Sequence, residues 1–193
     1  MSDFPVDALR QLQQKVYEDL SKAKGFSPPK SLDRGIEFPF TRLENGTYLH
    51  DRSEKDVYRI LIDSYRFRME EHCFNGGAPE PGSLYAECDS GLPAFSRYLD
   101  LAETRTGLLP PWWTPEKKQE CKNFGASGRE WQDLHRAVND KILLWHYADM
   151  RFAPQLRMLA EAITGRMVGP TSSLIRRGEL AEEECRSIVE ELD

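Results

Sequence analysis

The chain has 193 residues, of which 39% are hydrophobic and 30% are charged, so it is long enough to bury the core of one domain. Its formal net charge of −6 argues against direct nucleic-acid binding, because such surfaces carry an excess of Lys and Arg. The chain has no apolar run of about 18 residues, so we expect no membrane-spanning helix. Its first residues lack the basic and apolar regions of a signal peptide, which predicts a location in the cytoplasm or the nucleus.

The N-terminal segment, residues 1–25, has the pattern of an amphipathic helix. Pro5 suits the first helical position, and apolar residues recur from Val6 to Leu20 at spacings of three and four. Gly25 is typical of a helix end. We therefore predict an amphipathic helix or arm, which either packs on the core or docks on a partner.

Residues 26–52 contain several prolines and the turn signal Asn45-Gly46. They predict an ordered, irregular loop with a short extended pair around this turn. The next helix is predicted to begin at residues 53–56, where Ser-Glu-Lys-Asp resembles a capping box. Apolar residues on more than one face of residues 57–69 predict a helix that is buried on several sides.

The remaining helices follow from the same spacing and capping signals. They are predicted to begin near Gly91, at Thr114, near Trp131, near Phe152 and near Glu179. Alternating strand patterns are missing, so we predict an all-α fold, a single irregular helical domain of about seven helices with long ordered loops. Residues 26–168 form the predicted helical core domain, and residues 169–193 the predicted C-terminal helix.

The familiar signatures of catalysis and metal binding are missing from the chain. Its four cysteines are far apart in sequence and form no Cys-x-x-Cys pair, so no metal site is predicted. None of its four histidines lies in a His-Glu-x-x-His pattern, and no nucleophile elbow or dinucleotide fingerprint is present. We therefore predict no catalytic residue and no cofactor.

The most distinctive segment is Gly-Leu-Leu-Pro-Pro-Trp-Trp-Thr-Pro-Glu at residues 107–116. Tandem prolines stiffen the backbone, and two adjacent tryptophans are costly to leave in water, so the segment is either a buried strut or a recognition surface. Trp, Tyr and Arg are also the residues that dominate binding hot spots. The predicted protein-binding residues are Pro110, Pro111, Trp112, Trp113, Tyr48, His50, Tyr65 and Arg66.

Four segments give the chain a family resemblance. Residues 47–66, TYLHDRSEKDVYRILIDSYR, resemble a block of fungal MYND-finger proteins in which Pro often replaces Ser53. Residues 95–103, 107–113 and 155–161 resemble the same family in the same order, so the likeness spans roughly residues 38–166. The dense set of Cys and His that makes a MYND finger is missing, so the chain resembles the helical companion domain alone and zinc is not implied.

This resemblance implies a non-catalytic protein-interaction adaptor or complex subunit with a protein partner. The net charge and the missing apolar run predict no direct contact with nucleic acid or membrane. One alternative is a small-molecule-binding protein or an enzyme with an aromatic pocket. The lining of that pocket would be Trp112, Trp113 and Tyr65, with polar groups from His50 and Arg66. A second alternative is an assembly or translation factor in a ribonucleoprotein complex, held there by protein contacts.

Overall fold

The computed structural model describes Leu32 and residues 38–149, 151–166 and 173–192. Within these residues the chain forms seven α-helices and no strand, so the predicted all-α fold is confirmed. The predicted N-terminal helix of residues 1–25 lies outside the described residues. Over the described part, no helix combines the length and the apolar character needed to cross a membrane.

The helices are numbered in chain order, and one 3-10 turn, Leu84–Ala86, lies between the second and the third. They are α1 (Pro39–Glu44), α2 (Glu54–Phe74), α3 (Leu92–Glu103), α4 (Pro115–Ala126), α5 (Asp140–Tyr147), α6 (Phe152–Thr164) and α7 (Ser173–Leu192). The longest of them, α2, packs along α6 and also contacts α3 and α4.

Helix α2 begins and is buried as its sequence predicts. The Oγ of Ser53 accepts a hydrogen bond from the backbone N–H of Asp56 at 3.2 Å, which caps the helix. Every residue from Asp56 to Met69 is buried except Arg59. Because apolar residues occupy all sides of α2, neighbouring helices must surround it, and α2 becomes the centre of the core.

Helix α1 forms where the sequence predicted an irregular loop, and that prediction is wrong for this stretch. The carboxylate of Glu184, in α7, accepts the backbone N–H of Phe40 at 3.3 Å and of Thr41 at 2.9 Å. A side chain distant in sequence thus satisfies the start of α1, and Pro39 at its first helical position is the local signal that the sequence analysis did not use. The extended pair expected around Asn45-Gly46 is also absent from the described residues, since Asn45 ends α1.

The segment 127–139 is irregular, although helical spacing was expected from Trp131 onward. Its backbone groups are bonded to other parts of the chain: the N–H of Leu134 donates to the carbonyl of Gly125, and the N–H of Gly91 to the carbonyl of Leu134, both at 2.8 Å. Leu134 and Val138 are buried and Trp131 is half-buried, so these residues reach the core without a helix. The helix begins only at Asp140, where the side chain of Asn139 caps it.

Burial of the tyrosine hydroxyls makes the fold sensitive to alkali. Six of the seven tyrosines have a pKa raised above the ordinary value, and burial is the main cause for each. The unfolded chain therefore loses these protons at lower pH than the folded protein does. Stability is expected to hold up to about pH 10 and to fall above it.

We predict that at most one of the seven tyrosines ionises near pH 10 while the helices persist. The others should ionise together with unfolding. The measurement is an alkaline titration that follows tyrosinate absorbance and helical circular dichroism in one sample. Ionisation of several tyrosines with an unchanged helical signal would contradict the burial described here.

Candidate interaction surface

Residues 107–114 connect α3 to α4 and hold the two tryptophans at the surface. The segment turns at Gly107, whose φ of 77° is open to glycine without strain. The backbone N–H of Trp113 donates to the carbonyl of Pro110 at 2.9 Å, which closes a second turn. Pro110 is buried and Pro111 is exposed. The backbone of this segment is therefore held by the turn and by the buried Pro110, whereas Pro111 is accessible to solvent.

Trp113 is held from two sides. Its indole N–H donates to Oε1 of Glu103, at the end of α3, over 3.1 Å. Its ring also meets the ring of Tyr58, in α2, edge to face, with centroids 6.3 Å apart. The side chain is half-buried and packs against the core. Trp113 thus joins the surface segment to the central helix.

Trp112 is also half-buried, but its polar group is not engaged. Its ring is tilted by 42° to that of Trp113, with centroids 6.2 Å apart. No acceptor for its indole N–H is found among the residues that the structure describes. An indole with a supported ring and an open N–H can donate a hydrogen bond to a partner.

His50, in the loop between α1 and α2, forms a hydrogen bond to the segment 107–114. Its Nε2–H donates to the carbonyl of Gly107 at 2.7 Å, so the side chain supports the turn before the prolines. Tyr48 lies deeper: it is fully buried, and its hydroxyl donates to Oε1 of Gln155 at 2.9 Å. Of these two loop residues, only the half-buried His50 reaches the surface.

An ion-pair cluster lies on the Glu103 side of Trp113. The ammonium of Lys118 contacts Oδ1 of Asp100 at 2.5 Å and Oε2 of Glu103 at 2.7 Å. Burial acts to lower the pKa of Lys118, but the two carboxylates outweigh it and raise that pKa. The lysine stays charged, and two carboxylates share one cation.

A second cluster lies on the Tyr58 side of Trp113. The ammonium of Lys117 contacts Oε2 of Glu54 at 2.9 Å and Oε2 of Glu120 at 3.0 Å. The same oxygen of Glu120 accepts the hydroxyl of Tyr58 at 3.0 Å. Hydrogen bonds from Lys117 and Tyr58 lower the pKa of Glu120, which therefore remains ionised.

Tyr65 and Arg66 lie further along α2, and both are buried. The hydroxyl of Tyr65 donates to the carbonyl of Gly91 at 3.1 Å. The guanidinium of Arg66 donates from Nη1 to the carbonyl of Trp131 at 3.1 Å and from Nε to that of Arg136 at 2.9 Å. It also lies 4.9 Å from the ring centroid of Trp131. Arg66 thus holds the irregular segment 127–139 against α2.

Asp63 completes this buried network and was missed by the sequence analysis. One carboxylate oxygen pairs with Nη1 of Arg66 at 2.8 Å, and the other accepts from Gln132 at 3.2 Å and from the hydroxyl of Tyr147. Burial raises the pKa of Asp63, while Arg66 and the hydrogen bonds act to lower it. The sequence signal that could have identified this buried pair was an Asp and an Arg three residues apart in a helix with apolar residues on all sides.

A shallow cleft with a volume of about 10 Å³ lies beside Tyr65, Arg66 and Met69. It is smaller than the volume of roughly 300–1,000 Å³ that ligand sites occupy. Moreover, the polar groups of Tyr65 and Arg66 are bonded to backbone carbonyls. The cleft therefore offers little to orient a small molecule.

The structure thus separates the eight predicted binding residues into two groups. Trp112, Trp113, Pro110, Pro111 and His50 are brought together at one surface, with Pro110 buried beneath it. Tyr48, Tyr65 and Arg66 are buried in the core. Protein binding by any of the eight remains a prediction.

No protein-family model, curated protein or solved structure matches the chain. The resemblance to fungal MYND-finger proteins therefore stays a prediction. Among the residues that the structure describes, no three His, Cys, Asp or Glu side chains are placed to hold a metal ion. Cys73, Cys88 and Cys121 are free thiols.

We predict that Arg66→Gln lowers the free energy of unfolding by about 3–5 kcal/mol, because it leaves Asp63 as an unpaired buried charge. The matched control is Arg129→Gln, at an exposed position, which should change stability by no more than about 0.5 kcal/mol. Urea unfolding followed by circular dichroism measures both. Equal stability of the two variants would contradict the described role of Arg66.

Proposed function

We propose that the chain is a non-catalytic protein-interaction adaptor or complex subunit that binds its partner at the tandem-tryptophan surface, defined as Pro111, Trp112 and Trp113. The observation that carries this proposal is the open indole N–H of a half-exposed Trp112 on a fixed backbone. A rigid, amphipathic aromatic side chain gives a large contact area at little cost in conformational entropy. Its resemblance to the helical companion domain of fungal MYND-finger proteins supports the same function.

Catalysis and small-molecule binding have less support. The polar cluster around Asp63 and Arg66 is buried and bonded internally, and the neighbouring cleft is shallow. Such a network stabilises one packing arrangement and holds no substrate. We place the adaptor in the cytoplasm or the nucleus. Within a ribonucleoprotein complex it would act through protein contacts.

We predict that Trp112→Ala abolishes partner binding and lowers stability less than Trp113→Ala does, because Trp112 packs against the core without a hydrogen bond to the described fold. Trp113→Ala should lower the free energy of unfolding, by up to about 3 kcal/mol, since its ring bridges Glu103 and Tyr58. Partners are identified by affinity purification and mass spectrometry, then tested in pull-downs with purified variants.

The matched control is Phe74→Ala, at the end of α2, which removes an 86% exposed aromatic side chain from a different surface. It should retain both partner binding and stability. If folded Trp112→Ala captures the same partners as the wild type in equal amounts, the tandem-tryptophan surface is not the binding site.

A further inference from the structure

We infer that the partner presents a cationic segment, and that an Arg or Lys side chain of this segment docks on the tandem-tryptophan surface. This inference rests on the proposed function and names the chemistry of the partner. It is carried by two neighbouring features: the half-buried indole rings of the two tryptophans, and an excess of carboxylates in the two clusters linked to Trp113 through Glu103 and Tyr58.

The cluster around Lys118 carries one uncompensated negative charge. Asp100 and Glu103 share this single ammonium, and the cation is the least accessible of the three. The side chain of Lys118 is 19% exposed, against 62% for Asp100 and 36% for Glu103. A molecule that approaches from solvent therefore meets carboxylate oxygens first.

The cluster around Lys117 has the same excess of carboxylates, and it is linked to Trp113 through Tyr58. Glu54 and Glu120 share this ammonium, and their side chains are 48% and 52% exposed against 27% for Lys117. Glu116, which lies next to Lys117 in the first turn of α4, is exposed as well. Trp113 is thus linked to two acidic clusters, to one through Glu103 and to the other through Tyr58, and each has more carboxylates than cations.

Aromatic faces beside carboxylates are the chemistry that recognises cations. A guanidinium or ammonium group is attracted to the face of an indole, and tryptophan is the strongest aromatic partner for it. The planar guanidinium of arginine can stack on the ring and donate to a nearby carboxylate at the same time. An acidic segment would be repelled here, because like charges face each other across the interface.

The probe that tests this inference is a library of short random peptides displayed on phage and selected on the immobilised full chain. We expect the recovered peptides to be enriched in Arg and Lys and depleted in Asp and Glu. Their binding should weaken by about tenfold or more between low and high salt, because exposed charges are screened. Peptides that bind wild type should bind Trp112→Ala weakly.

The double variant Asp100→Asn, Glu103→Gln removes two charges and keeps an acceptor for the indole N–H of Trp113. It should lose the enrichment in cationic peptides, provided that its thermal unfolding matches the wild type. The charge-matched control is the double variant Glu179→Gln, Glu182→Gln, at side chains of α7 that are 55% and 74% exposed and pair locally with Arg176 and Arg186. This control should select the same cationic peptides as wild type.

Recovery of uncharged or acidic peptides that need Trp112 would overturn this inference and leave the proposed function standing. Failure to recover any Trp112-dependent peptide would also overturn it, because the surface would then lack an intrinsic preference for cations. Partner capture that depends on Trp112 tests the proposed function separately, so the two failures are distinguishable.

Discussion

The charged pair of Asp63 and Arg66 is buried inside the protein, where any polar atom left without a partner costs free energy. The surrounding chain is arranged to supply those partners. Carbonyls of Trp131 and Arg136 and the side chains of Gln132 and Tyr147 reach the pair, and all four residues belong to the irregular segment 127–139 or to α5, the helix after it.

This requirement explains why residues 127–139 do not form a helix. A helix would bond their carbonyls internally and withdraw them from Arg66. The segment instead lies across α2 and exchanges hydrogen bonds with Gly91 and Gly125, at the start of α3 and near the end of α4. One buried ion pair thus fixes the place of several elements around α2.

Tyr58, two turns before Tyr65 on that helix, supports Trp113 at the surface.

Local signals in the sequence were sufficient for much of this fold. Capping residues set the starts of α2 and α4 at Ser53 and Thr114, because a cap acts within a single turn of chain. Helix α1 was missed because Glu184, from α7, caps it across the fold, and because Pro39 was not used as a local signal. At the site, the stiff Pro-Pro-Trp-Trp segment was recognised from composition, whereas the burial of Arg66 depends on contacts that no local pattern encodes.

Polar groups in the core and polar groups at the surface have different roles in this protein. In the core, Asp63, Arg66 and Tyr147 are bonded to one another and to nearby backbone carbonyls, so these groups are unavailable to a substrate. The tandem-tryptophan surface instead keeps half-exposed rings near carboxylates that outnumber their cations. A rigid surface of this kind binds a partner with little rearrangement. Binding is therefore expected to leave the interior of the domain unchanged.

Hydrogen–deuterium exchange of the chain with and without its captured partner tests this account most directly. We expect slower exchange in residues 107–118 and 50–54 when the partner is bound, because these segments form and border the tandem-tryptophan surface. Exchange in residues 127–139 and in α6 should stay the same. Protection confined to other surfaces, with residues 107–118 unaffected, would contradict the assignment of this surface as the binding site.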